Sequence, residues 1–190
     1  MAKINGFELK AIKKTVGMEG EGFTANVYLD NKKIGSCADY ADGGPLNIQI
    51  NWTAECEKRL TESFEKHPRV DTFELYKTHV KEEEYLKLKE ENNLPVCKYN
   101  DYYDMMEYIC NDLYALKMLE EDYKRSVKKG YSSIIYVSFI SFYRTPCPVD
   151  MIYQTDGSEK SFQEVKTAEE TKSKAVNLYC FNSLNDFIID

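Results

Sequence analysis

Hydrophobic and polar residues alternate through the first quarter of the chain. In residues 23–29 every second side chain is apolar (Phe23, Ala25, Val27 and Leu29), which is typical of a strand that buries one face. The pattern predicts four strands, at residues 7–15, 23–29, 33–38 and 46–50. Gly, Asp and Asn tolerate the backbone angles of turns, so residues 17–22, 30–32 and 42–45 are the predicted connections. Residues 1–52 are therefore predicted to form an antiparallel β meander.

Helical periodicity replaces this alternation between residues 53 and 130. A first helix is predicted over residues 54–66 and a second over 71–92, although residues 73–79 also alternate as a strand would. The third helix, residues 104–128, has the strongest signal and is closed by Gly130. Apolar side chains three and four positions apart give it one predicted core face: Met105, Ile109, Leu116, Leu119, Tyr123 and Val127.

Strand character returns after residue 130. Residues 131–143 are rich in β-branched and aromatic side chains, and further strands are predicted at 149–155 and 175–181. A short terminal helix is predicted over residues 183–189. The order of strands, helices and strands predicts one α+β domain of 190 residues, in which the C-terminal strands complete the N-terminal sheet.

Composition and charge exclude several classes of protein. Hydrophobic residues make up 43% of the chain and Gly plus Pro only 14 residues, which excludes a disordered or collagen-like protein. The net charge of −7 argues against a strongly basic nucleic-acid binder. The N-terminus has no apolar signal core, and six scattered cysteines without a C-x-x-C pair indicate reduced, mostly buried thiols. We therefore expect a cytoplasmic protein without a membrane partner.

No residue set predicts catalysis, a metal site or a cofactor. The two histidines, His67 and His79, have no cysteine or carboxylate at a zinc-binding spacing. The glycines at 17, 20 and 22 fit neither a dinucleotide fingerprint nor a P-loop. A flexible hairpin loop explains them, although four nearby acids leave a cation site conceivable: Glu19, Glu21, Asp39 and Asp42. An enzyme is thus less expected than a binding protein.

Acidic residues concentrate in the third predicted helix. Residues 101–123 hold seven Asp or Glu and a single Lys, with five interleaved tyrosines. Carboxylates along a rigid helix can imitate phosphates for a basic groove, and tyrosine is enriched in interfaces. We predict a partner-binding surface of Asp101, Tyr102, Tyr103, Asp104, Glu107, Tyr108, Glu121 and Asp122. A solvated helix face is the alternative. Asp112 projects beside the apolar stripe, where it would be a buried acid or a residue at the edge of the stripe.

The run Gly17-Met18-Glu19-Gly20-Glu21-Gly22-Phe23, with Lys33-Ile34-Gly35 and Ala41-Asp42-Gly43-Gly44, resembles the N-terminal unit of small proteins from phages and mobile elements of low-GC Gram-positive bacteria. The resemblance covers about 50 residues and implies an accessory protein in the host cytoplasm. Compact acidic phage proteins of this size are often counter-defence factors, including anti-CRISPR proteins.

The sequence therefore predicts a non-enzymatic inhibitor that binds a basic, nucleic-acid-handling host protein and blocks its groove. Direct nucleic-acid binding is not expected. Two alternatives stay open, namely a binding protein or enzyme for a small molecule or nucleotide signal, and a structural assembly protein.

Overall fold

The computed structural model describes residues 2–66, 102–139, 151–170 and 176–190. The second predicted helix, both histidines and Asp101 lie outside the described residues. The described strands are β1 (Lys3–Ile4), β2 (Phe7–Gly17), β3 (Gly20–Leu29), β4 (Lys32–Asp39), β5 (Asn47–Ile50), β6 (Ser133–Phe139), β7 (Met151–Thr155), β8 (Val176–Phe181) and β9 (Ile188–Ile189). The described helices are α1 (Ala54–Lys66), α2 (Tyr102–Lys128) and α3 (Glu159–Glu170), with a 3-10 turn at Leu184–Phe187.

The N-terminal meander is confirmed. Strands β2 to β5 pair antiparallel with their neighbours, and the predicted core residues of β3 are all buried. Asp30 and Asn31 turn the chain with positive φ angles of 46° and 67°, as a tight two-residue hairpin requires. The predicted loop at 17–22 is shorter than expected, because β2 continues to Gly17 and β3 starts at Gly20.

The C-terminal strands require a correction within the confirmed α+β class. Strands β6, β7 and β8 form a separate three-stranded sheet in the order β7-β6-β8. The first sheet has the order β5-β4-β3-β2-β1-β9, so the two-residue strand β9 is what completes it, parallel to β1. The predicted terminal helix is a 3-10 turn that leads into β9.

Helix α3 was not predicted from the sequence. Its twelve residues carry few apolar side chains, which weakens the periodic signal. A hydrogen-bond network at its N-terminus marks where the helix begins. Asp156 Oδ1 accepts hydrogen bonds from the Ser158 amide and hydroxyl and from the Ser161 hydroxyl at 2.6–2.9 Å. These bonds hold the pKa of Asp156 down to about 2.

Helix α2 packs against both sheets, with contacts to β2 and β5 of the first sheet and to β6 of the second. Its predicted core face is confirmed at Ile109, Leu116, Leu119 and Tyr123. Val127 was predicted on this face but is 46% exposed, because it lies in the last turn of the helix. The buried face also includes Met106, Cys110, Leu113, Glu120 and Ser126.

The described cysteines are free, as the sequence indicated. Cys37, Cys56 and Cys110 are buried, and Cys180 is half-buried. A hydrogen bond with Cys37, together with burial, raises the pKa of the Cys110 thiol well above its usual range. The Cys110 thiol therefore stays protonated at neutral pH and acts as a small core residue.

A buried carboxylate in α2 is the least expected feature of the core. The Glu120 side chain is 1% exposed and accepts hydrogen bonds from the Ala2 amide at 3.0 Å and from Lys117 Nζ at 2.7 Å. Lys124 Nζ bonds its other oxygen. Burial alone would raise the pKa of Glu120, but these donors outweigh it and lower the pKa to about 2. The carboxylate thus joins the N-terminal segment to α2.

We expect the substitution Glu120→Gln to lower the free energy of unfolding by about 2–4 kcal/mol at pH 7, since it removes a paired buried charge. The folded pKa of about 2 lies below the ordinary value of about 4.3, so the ionised carboxylate stabilises the fold fully above pH 5. This contribution is lost as the pH falls from 5 towards 2. Urea unfolding of both proteins between pH 2 and pH 7 measures the difference.

Glu121→Gln is the matched control, because Glu121 is the next residue and is exposed. Its unfolding free energy should stay within about 0.5 kcal/mol of the unsubstituted protein. A Glu120→Gln protein as stable as this control at pH 7 would contradict the structural role of the buried carboxylate.

Candidate interaction surface

The described members of the predicted partner-binding set all lie on α2. Tyr102, Tyr103 and Glu121 are exposed, and Asp104, Glu107, Tyr108 and Asp122 are half-buried. Tyr102 and Tyr103 lie beside the Trp52 ring, with ring centroids 6.0 and 5.3 Å apart. The first turn of the helix therefore presents an aromatic group at the end of the first sheet.

Two of the predicted carboxylates already have partners within the fold. Glu107 Oε1 accepts a hydrogen bond from the Leu46 amide at 3.1 Å, and Asp122 pairs with Arg125. The helix as a whole carries six acidic and four basic residues. Its charge is thus more balanced than residues 101–123 suggest, and a continuous row of solvated carboxylates does not form.

Asp112 is exposed on α2. The alternative of a buried functional acid at this position is therefore wrong. Residue 112 lies at the edge of the packed stripe, where the helix surface still reaches water.

The hairpin tip between β2 and β3 packs on the segment that follows β4. A Cβ atom built on Gly17 would lie 1.9 Å from the Tyr40 carbonyl oxygen, and one on Gly22 would lie 2.3 Å from the Asp39 carbonyl oxygen. The Glu19 amide donates to the Ala41 carbonyl at 2.7 Å. Glycine is needed at 17 and 22 because the two backbones touch, which the flexible-loop interpretation did not foresee.

The same hairpin also lies against α2. The Phe23 ring stacks on the Tyr114 ring, with centroids 4.0 Å apart and planes 3° apart. Lys14 Nζ bonds Glu21 Oε2 at 3.1 Å, and the pKa of Lys14 is raised first by this bond, then by Tyr114 and, more weakly, by Glu121. The carboxylates of the hairpin and of the helix therefore share one region.

Glu107, Tyr114 and Glu121 follow one line on the helix surface, because residues seven apart are almost two turns apart. This line is about 21 Å long at 1.5 Å per residue. Strand β3 of the hairpin contacts it at Tyr114 through Phe23, and the segment before β5 contacts it at Glu107.

The hairpin and the segment after β4 also expose large apolar side chains. Met18 is 94%, Val16 87% and Tyr40 54% exposed. We name this region the tip surface, made of Val16, Met18, Glu19, Glu21, Tyr40, Asp42, Glu107 and Glu121. Exposed apolar residues rimmed by polar residues are typical of a protein-binding site.

The four acids considered for a cation site do not form one. No group of three or more His, Cys, Asp or Glu residues in the described part of the chain could hold a metal ion. Asp39 and Asp42 instead accept backbone hydrogen bonds from Ala41 at 2.7 Å and Gly44 at 3.1 Å. Their carboxylates shape the turn before β5.

Comparison with known proteins gives no family assignment. No protein-family model, no curated protein and no solved structure matches the chain. Among the described residues, no helix is long and apolar enough to cross a bilayer.

We expect Gly17→Ala to separate the hairpin tip from the segment after β4, because the added methyl group would overlap the Tyr40 carbonyl. Overpacking of this kind costs about 1–3 kcal/mol. Thermal unfolding should show a lower midpoint, and NMR should show shifted amide signals from Tyr40 to Asp42.

Gly44→Ala provides the comparison, since a Cβ atom there meets the movable Asp42 carboxylate oxygen at 3.1 Å and no backbone atom. Its midpoint should stay close to that of the unsubstituted protein. Equal effects of the two substitutions would contradict a specific contact at Gly17.

Proposed function

We propose that this chain is a non-enzymatic inhibitor that binds a basic, nucleic-acid-handling host defence protein of the CRISPR type and blocks its groove. The tip surface supports this proposal more directly than the acidic stretch of α2 alone. It combines three exposed apolar side chains with five carboxylates, so it offers both desolvation energy and charge complementarity.

Rigidity favours this surface as a phosphate mimic. The Phe23–Tyr114 stack holds the hairpin on the helix, and Glu107 ties the helix to the segment before β5. A surface that is already ordered loses little conformational entropy when it binds. Carboxylates held at fixed spacing can then occupy the positions that phosphates take in a cationic groove.

The predicted partner-binding residues have different roles in this proposal. Glu107 and Glu121 belong to the tip surface, and Asp104 and Asp122 lie on the neighbouring side of α2. Tyr102, Tyr103 and Tyr108 extend the contact along the helix towards Trp52. Asp101 precedes them in the chain.

Guide-loaded CRISPR nucleases from Gram-positive bacteria provide the assay. Addition of the protein at a molar ratio near one should stop cleavage of target DNA by a susceptible nuclease. Biolayer interferometry should show binding that weakens as NaCl rises and that target DNA competes away. A panel in which no nuclease loses activity at a tenfold molar excess would contradict the proposed function.

The double substitution Glu19→Lys with Glu121→Lys should lower the affinity for a susceptible nuclease by at least about tenfold, mainly through slower association. Both side chains are exposed, so the fold should be retained. The control is Glu65→Lys with Glu164→Lys, which changes the net charge equally at exposed positions away from the tip surface. Equal losses in both proteins would show that net charge, and not the tip surface, drives binding.

A further inference from the structure

The outer face of the first sheet carries a trough that is independent of the tip acids. Its volume is about 330 Å³. On β3, the lining side chains Thr24 and Asn26 alternate with the buried Phe23 and Val27, so they point away from the helix-covered face. Strand register sets two rows across the sheet, Lys10–Asn26–Ser36–Gln49 and Lys13–Thr24–Ala38–Asn47.

Side-chain size gives the trough its shape. The two central strands contribute the small Thr24, Ser36 and Ala38, whereas longer side chains stand on the flanking strands β2 and β5. A bulge between Lys10 and Lys13, with Ala11 at a φ of 53°, bends the β2 wall. Each row crosses three interstrand steps, so the trough is about 14 Å wide.

The polar side chains of the trough have no hydrogen-bond partner among the residues that the structure describes. Thr24, Asn26, Ser36, Asn47 and Gln49 make no side-chain hydrogen bond to any residue in the described part of the chain. Thr24, Asn26 and Ser36 are half-buried, whereas Asn47 and Gln49 are exposed, so all five can bond water or a ligand. A concave set of free amides and hydroxyls is the arrangement that orients a small polar ligand.

Charge restricts the chemistry of that ligand. Among the described residues, Lys13 is the single charged member of the trough lining, and none of them contributes a carboxylate to it. Lys10, beside the trough, pairs with Glu8 at 3.2 Å and lies over the Tyr28 ring. In a chain of net charge −7, the described lining of the trough therefore offers one cation, which complements one anionic group. Tyr40, 54% exposed, stands at the rim as an aromatic platform.

We propose that the trough binds a nucleoside monophosphate. Lys13 pairs with the phosphate, Tyr40 stacks on the base, and Asn26, Asn47 and Gln49 bond the edge of the base and the ribose hydroxyls. Amide side chains supply the paired donor and acceptor that base edges present. A longer nucleic acid does not fit this chemistry, since one lysine cannot offset the repulsion between many phosphates and an acidic protein.

NMR titration of the isotopically labelled full chain with AMP, GMP, CMP or UMP tests the proposal. At least one nucleotide should shift the amide signals of β3, β4 and β5 and saturate with a Kd near or below about 1 mM. Lys13→Met should lower the affinity for that nucleotide by at least about tenfold. The exposed Lys32→Met, outside the trough, is the matched control and should leave the affinity unchanged.

Two truncated ligands separate the parts of the site. The matching nucleoside should bind more weakly than the nucleotide and should be insensitive to Lys13→Met. Ribose 5-phosphate should bind weakly because it has no base to stack on Tyr40. Ala38→Phe, which fills the trough from the outer face, should abolish all binding while thermal unfolding confirms a folded chain.

Several results would overturn the proposal. These are the absence of saturable binding by all four nucleotides, equal binding of ribose 5-phosphate, and equal effects of Lys13→Met and Lys32→Met. Retained affinity in a folded Ala38→Phe protein would also place the ligand elsewhere. Should Ala38→Phe fail to fold, the Lys13 and Lys32 pair still decides the question.

Discussion

The described part of the molecule depends on one helix that packs against both sheets. Ile109 and Leu113 belong to its buried face, and Tyr123 donates its hydroxyl to the Asn182 carbonyl at 2.8 Å beyond β8. Each fully buried apolar side chain of this size contributes about 1.5–3 kcal/mol. Burial of Glu120 in the same face opposes this gain, and the fold tolerates it because lysines and the Ala2 amide surround the carboxylate.

The packing of α2 against both sheets also fixes the position of the side chains on its outer side. Because α2 cannot rotate without breaking its contacts with β2 and β6, Glu107 and Glu121 keep their orientation relative to the two sheets. The Phe23–Tyr114 stack holds strand β3 of the hairpin against the same helix. A surface used to mimic a ligand gains from such preorganisation, since the cost of ordering it has been met during folding.

Local pattern predicted the elements well and their assembly less well. The alternation of apolar and polar residues predicted β2 to β5, and residue types that tolerate positive φ predicted the turn at Asp30. Both signals are contained in a few neighbouring residues. The second sheet, the parallel pairing of β9 with β1 and the meeting of the tip with α2 depend on residues far apart in sequence, where periodicity carries no information. Helix α3 was not predicted because its mostly polar side chains form no periodic apolar face. The burial of Glu120 was not predicted because a carboxylate next to apolar residues is normally expected at the solvent-exposed edge of the helix face.

The two candidate surfaces use opposite charges on one framework of strands. The described lining of the trough has one lysine and no carboxylate, whereas the tip surface holds five carboxylates, with Lys14 paired to one of them. Tyr40 belongs to both, because the close approach of Gly17 to its carbonyl holds it between the hairpin tip and the outer face of the sheet. Substitutions at Lys13 and Glu19 therefore act on one surface each. A change at Tyr40 alters both, so an effect of that residue alone cannot assign a ligand to either surface.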